Sequence, residues 1–144
     1  MVIDNYQVSL KLFVKNQQGE VLILKNPSHF SHAAGFYDFP WGRIDVDEFQ
    51  VSYFDILKRE VKEELGSNIQ VKLSIKPVSI SRLENIKSRN RLFHIFFEAR
   101  YISWEIQISE EHESYKWVKL DEIDLEKHFM SGMLEGVKNY LEYK

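Results

Sequence analysis

The residues best placed for chemistry are carboxylates crowded into one run, Arg59-Glu60-Val61-Lys62-Glu63-Glu64-Leu65-Gly66. Read as a helix of about 100° per residue with Leu57 as origin, Phe54, Leu57, Val61 and Leu65 share an apolar stripe roughly 80° wide. Asp55, Lys58, Arg59 and Lys62 form a mixed polar sector between about 100° and 200°. Glu60, Glu63 and Glu64 occupy a third sector between about 240° and 340°, broken only by Ile56. Like charges at these spacings cost a helix roughly 0.2–0.5 kcal/mol per pair. Glu63 and Glu64 also face the negative end of the helix dipole. Two readings follow from the helix alone. It is a solvated acidic face balanced by Lys58, Arg59 and Lys62, or its hard oxygen donors hold Mg²⁺ or Mn²⁺ beside a phosphate.

The segment ahead of the helix bears on that choice. Gly42-Arg43-Ile44-Asp45-Val46-Asp47-Glu48 is acidic, opens on a glycine and follows Phe39-Pro40-Trp41. A glycine allows backbone to approach a ligand closely. Glu48 could return to the helix and pair with Arg59.

Other elements must hold these two segments together. Val8, Leu10, Leu12 and Val14 alternate with Ser9, Lys11 and Phe13 and predict a strand. Asn16 to Glu20 reads as a turn, and Val21 to Leu24 as its partner strand. A long segment from Asn26 to Gln50 follows, of the kind that is often functional. Ser52 with Asp55 resembles a capping box opening the acidic helix, and Gly66 is its stop. Gln70 to Leu83, Arg91 to Ile102 and Tyr115 to Leu120 predict three more strands. Apolar spacing predicts one helix from Leu125 to Tyr140. Strands in runs imply an α/β (α+β) arrangement, a mixed sheet packed between helices.

The bulk numbers narrow the classes. A chain of 144 residues, 44% apolar, is expected to form a single domain spanning 1–144. Its net charge of −3 gives no basic field for long nucleic acid. The absence of cysteine excludes disulfides and thiol chemistry. Met1 to Leu10 does not read as a signal peptide, and no apolar run is long enough to span a bilayer. A cytoplasmic soluble protein is expected, with a homodimer left open.

Together, Gly42, Glu48 and the run Arg59 to Gly66 resemble the signature box of the Nudix (MutT-like) hydrolase family. That box is a glycine, an acidic residue and then Arg-Glu-apolar-x-Glu-Glu-x-Gly closing a helix. Trp117 ahead of Asp121-Glu122 and the order of the strands are similar to the family as well. The resemblance implies a Nudix-type α/β/α sandwich. It also implies metal-dependent hydrolysis of a phosphoanhydride in a nucleoside diphosphate linked to a further group. Carried over by position, Glu60, Glu63 and Glu64 are metal ligands and catalytic groups, Arg59 orients them, and Glu48 holds Arg59 or assists the metal shell. The Trp41 or Gly42 carbonyl is a further ligand, and Gly42 and Gly66 are structural. A fourth acid from outside the box is expected at Glu111 or Glu110, with Glu98 as the alternative. The sequence departs from the box in three places. The stretch from Glu48 to Arg59 is three residues longer, Trp41 replaces a usual glycine, and Ser67 replaces a usual apolar residue.

For a small nucleotide substrate, Lys25 and Arg91 are candidate phosphate contacts, and Phe39, Phe36 or Tyr37 could stack on a base, although aromatics of this kind are more often core residues. Arg82, Lys87 and Arg89 cluster at the same turn as Arg91 and read equally well as a soluble hairpin end. His94 and Glu98 share a strand face, either lining a cleft or forming a buried pair. His29 and His32 read as surface residues. A catalytically silent nucleotide-sensing module is the competing class, and it is disfavoured because no box glutamate is missing. The isopentenyl diphosphate isomerase relatives need a cysteine that this chain lacks. No side motif typical of the branches specialised for coenzyme A, NADH or ADP-ribose is present.

Overall fold

The computed structural model describes residues 1–29, 33–103 and 105–143. The predicted alternation of the first strand is present in β1 (Gln7–Lys15), and its consequence is larger than expected. Leu10, Leu12 and Val14 point into one apolar cluster, with Leu57, Val61 and Leu65. The other face of β1 is not solvated. Phe13 belongs to a second cluster with Phe96, Val137 and Tyr140, and Ser9 and Lys11 are buried beside it. β1 is therefore the central plank of a three-layer structure.

The sheet is mixed. β1 runs parallel to β6 (Arg91–Ser103), while the hairpin of β6 with β5 (Gln70–Glu84) is antiparallel. On the other side β1 meets β2 (Val21–Lys25), which carries β3 (Tyr37–Asp38), so the sheet runs β3-β2-β1-β6-β5. Two further strands lie off that path. β4 (Trp41–Arg43) pairs with the first half of β1, and β7 (Ser114–Val118) pairs with β2. The long segment from Asn26 to Gln50 thus contains two short strands and a 3-10 turn, Val46–Glu48, that period and propensity do not reveal.

Helix α1 (Tyr53–Leu65) covers one face of the sheet. The other is covered by α2 (Leu125–His128) and α3 (Ser131–Tyr143), where one helix was expected. Phe129 takes extended backbone so that its ring can stack on Phe39 at 5.1 Å, fully buried, and the helix breaks there. Ser131 restarts it at φ 52. Close approach of α3 to the sheet depends on Gly136, where a Cβ would fall 2.3 Å from the Phe96 ring. Among the described residues, no helix is long and apolar enough to cross a membrane.

Candidate active site

β4 and α1 build the site between them. Leu12 N–H donates to Pro40 C=O, and Ile44 N–H to Val8 C=O. In an antiparallel ladder this alternation makes Leu10 and Gly42 the hydrogen-bonded pair between them. The peptide groups of Trp41 consequently face away from β1. Its N–H donates to Glu64 Oε2 at 2.9 Å, and its carbonyl is turned to the same side, clear of the ladder. The next residue brings backbone against α1. A Cβ on Gly42 would lie 2.4 Å from Glu60 Cγ and 2.9 Å from Cδ, so any side chain there expels Glu60.

Ser52 Oγ caps α1 by accepting from Asp55 N–H at 3.1 Å. The helix carries its acids at graded depth, which a helical wheel cannot reveal. Ile56, placed by the wheel inside the acidic sector, is buried and roots that side of the helix against the sheet. Glu64 is 3% exposed. Glu60 is intermediate, its side chain 18% exposed, and Glu63 stands at the rim at 61%. Burial pushes the Glu64 carboxyl up to about 9, opposed by the Trp41 N–H. Burial also raises Glu60, against the pull of Arg59.

Arg59 ties the cluster together. Its Nη1 donates to Glu48 Oε2 at 2.9 Å and its Nη2 to Glu60 Oε1 at 3.0 Å, while Nε lies 3.8 Å from Glu63 Oε1. The other oxygen of Glu48 accepts from Asp45 N–H at 3.1 Å. The longer stretch between Glu48 and Arg59 does not separate them. The turn and loop ahead of Tyr53 absorb it, leaving Phe49 and Val51 exposed and the helix faces unrotated.

The end of α1 recruits the remaining acids. Gln107 N–H donates to Leu65 C=O and Ser109 N–H to Glu64 C=O, so carbonyls that a helix end leaves unpaired anchor the following loop. Gly66, at φ 111, leaves room for Gln107. Glu111 thereby lines the same groove of about 840 Å³ as Trp41, Gly42, Glu48, Arg59 and the three helix glutamates. Glu110 borders a smaller depression beside them.

The donor set is all hard oxygen, and the buried Glu64 has no cationic hydrogen-bond partner among the described residues. Both properties suit a divalent cation. Among the described residues no three His, Cys, Asp or Glu side chains enclose an ion as they stand, and Arg59 holds Glu48 and Glu60.

Several sequence candidates lie elsewhere. Phe39 is fully buried, packed on Phe129 and edge-on to Phe13, so it is a core residue and not a base-stacking one. Arg91 is occupied by Glu84 at 2.9 Å and by Asp4, in a separate depression, which removes it as a phosphate contact. Glu98 accepts from Tyr140 Oη at 2.6 Å, remote from the groove. Lys25 lines neither this groove nor the neighbouring cavity. His29 is exposed, and the expectation for His32 lies outside the described residues.

Residues that sequence reasoning missed surround the back of the groove. Lys11 donates to Asp38 Oδ1 at 2.9 Å and sits 4.7 Å from the Trp41 ring. Its signal was present, because Phe13, an apolar residue, shares the strand face of Ser9 and Lys11.

Comparison with known proteins follows this geometry. The family model described as NUDIX domain matches residues 5–138. No curated protein matches the chain. Among solved structures, the chain is similar to a MutT protein of Methanosarcina mazei Go1, with TM-score 0.74 and 22% identity over 99% of this chain and 97% of the other. It is also similar to an Ap4A hydrolase of C. elegans, with TM-score 0.67 and 18% identity over 95% and 96% of the two chains. An ADP-ribose pyrophosphatase of Streptococcus suis gives TM-score 0.65 and 20% identity over 96% and 91%.

Proposed function

The chain belongs to the Nudix domain family, a family of hydrolases, and from that premise we propose that it acts as a single-domain, Mg²⁺- or Mn²⁺-dependent enzyme that hydrolyses a phosphoanhydride in a nucleoside diphosphate linked to another group. The observation that carries this reading is the way β4 closes on α1. Trp41 N–H fixes Glu64, and the bare backbone at Gly42 seats Glu60.

Glu60, Glu63, Glu64, Glu111 and the Trp41 carbonyl would hold the cations. When bound, they would supply charge neutralisation at phosphorus and a more acidic water. The protein's own part begins with Arg59, which keeps Glu48 and Glu60 in register and limits where Glu63 can swing. Water oxygen bonds to phosphorus as the bridging P–O bond breaks, and the water's proton passes to a groove carboxylate. Glu64, protonated when buried without a cation, is a full ligand only after it loses that proton, so cation binding and proton release are coupled.

The Ap4A hydrolase and the ADP-ribose pyrophosphatase above are named for different compounds, and the shared fold selects neither for this chain. A panel of nucleoside triphosphates, dinucleoside polyphosphates and nucleoside diphosphate sugars, with Mg²⁺ or Mn²⁺, tests the reading. Release of nucleoside monophosphate, phosphate or pyrophosphate is expected for at least one member, lost in Glu63→Gln and Glu64→Gln. No turnover anywhere on the panel would leave a nucleotide sensor as the better description.

A further inference from the structure

The carboxylate groove and the adjoining cavity of about 360 Å³, which share Trp41 and Arg43, both draw on the first half of β1. A further recess, about 470 Å³, lies at the far end of that strand, with Lys15, Lys72, Ser74, Glu98 and Arg100 in its lining. Lys15 lies six positions beyond Ser9, the partner of Arg43 in β4, a span of about 20 Å. The volume is in the range of small-molecule sites.

Register puts three cations in one row there. Lys15 of β1 is opposite Arg100 of β6, and Arg100 is opposite Lys72 of β5. Alternation from Phe13 and Glu98 turns the row to the α3 side of the sheet, where Tyr140 of α3 reaches it. Like charges directly opposite each other destabilise a sheet, and here two such pairs abut. Other basic residues of the fold are compensated: Lys11 by Asp38, Arg59 by Glu48 and Glu60, Arg91 by Asp4 and Glu84. Lys15, Lys72 and Arg100 form no ion pair among the described residues. The carboxylate at the recess does not relieve them. Glu98 Oε1 accepts from Tyr140 Oη at 2.6 Å, and Lys15 Nζ donates at 3.2 Å to that same hydroxyl. Tyr140 is 1% exposed, so its hydroxyl is a fixed point between the two. β5 breaks register between Leu73 and Pro77, where three of its residues face one of β6. A bulge re-aims side chains, and this one leaves the Ser74 hydroxyl at the recess beside Lys72.

We infer that this recess is a second anion site, separate from the hydrolytic groove, and that it binds a diphosphate group, either free pyrophosphate or the diphosphate of a larger molecule. The spacing sets the class. Neighbouring strands lie about 4.8 Å apart, so the row runs about 10 Å from Lys15 to Lys72. Two linked phosphoryl groups spread their oxygens along such a row, and a single one meets it only at the centre. The guanidinium in the middle offers a planar fork matched to phosphate oxygens, and the flanking ammonium groups act as point charges. A neutral ligand would leave all three charges uncompensated. The inference stands on register and charge, and the hydrolase reading is not one of its premises.

Backbone amide spectra of the metal-free full chain test it, with pyrophosphate, phosphate, ADP and AMP as probes and chloride of matched ionic strength as control. Pyrophosphate and ADP are expected to shift the amides of Asn16, Ser74 and Arg100 to saturation, with phosphate and AMP at least about 10-fold weaker. Arg100→Gln and Lys72→Gln should each weaken pyrophosphate by roughly 10-fold, the worth of a charge-assisted hydrogen bond. Glu98→Gln keeps an oxygen for Tyr140 and removes the opposing charge, so it should tighten pyrophosphate by about 2- to 5-fold. That reversal of sign separates a charge site from a damaged surface. Response to both pyrophosphate and ADP assigns the diphosphate group as such, and response to pyrophosphate alone assigns the free anion. No saturable shift at these amides below about 10 mM would overturn the inference. So would equal shifts in chloride, phosphate binding as tightly as pyrophosphate, or wild-type affinity in a folded Arg100→Gln protein. Arg100→Gln should turn over the nucleotide panel like wild type, and loss of turnover there would overturn the separation of the two sites.

Discussion

The two faces of the sheet handle polarity in opposite ways. On the α1 face, acids of the same sign are gathered at graded depth around one arginine in an open groove. On the α3 face, Lys11 pairs with Asp38, and Ser9, Ser81 and His94 are buried with polar atoms that have no hydrogen-bond partner among the described residues. Charge in an open groove acts at a distance and attracts ions. Neutral hydrogen-bonding atoms in an enclosed cavity act only on contact and discriminate by shape.

Mutations can break that contrast in order of size. Glu64→Gln or Glu63→Gln should lower turnover at least ~100-fold, by analogy with losing a group aimed at developing charge. Near-wild-type turnover in both would end the assignment of metal roles. Gly42→Ala drives a Cβ into Glu60 and should lower turnover and Mg²⁺ affinity by about 10- to 100-fold, comparable to disturbing a metal site's supporting shell. Equal Mg²⁺ titration curves for the variant and wild type would refute the packing argument.

Without metal, Glu64 makes stability depend on pH. Its folded value of about 9 lies above the ordinary value of 4.5, so its contribution is fully present below 4.5 and is lost as pH rises toward 9. Denaturant unfolding at pH 8 without metal should therefore find Glu64→Gln more stable than wild type, with Mg²⁺ closing the gap. His94 runs the other way. Its folded value of about 3 lies below 6.5, so its contribution is present above 6.5 and is lost as pH falls toward 3. The smallest effect should come from Glu48→Gln. Its pairing with a half-exposed Arg59 contributes roughly 0.2–1 kcal/mol, so a loss of only about 2- to 5-fold in turnover is expected.

The α1 face was far more legible in the sequence than the α3 face, for a physical reason. Helical period converts spacing directly into direction, so Arg59 to Gly66 announced both an acidic sector and a stop. It says nothing about depth. That Glu64 is buried and Glu63 is not follows from β4, a strand of three residues too short to leave a period. The resemblance supplied what the wheel could not, the link from Gly42 and Glu48 to the helix. On the other face, alternation in β1 predicts the strand and leaves open what covers Ser9 and Lys11. Ser9 and Lys11 look like a solvated face until α3 is laid over them. The break at Phe129 was hidden because its apolar spacing continues unbroken through it, while its conformation is dictated by a distant partner, Phe39. Arg91 and Lys25 illustrate the limit of choosing phosphate contacts by charge alone, since a cation's partners come from tertiary structure.

β4 has one more consequence. Consecutive residues of this strand serve opposite sides of the sheet, Gly42 toward Glu60 and Trp41 and Arg43 toward the cavity. All three are held in register against β1. The strand is therefore a fixed gauge between the two workplaces, adjustable only in whole residues of about 3.3 Å that would also reverse its faces.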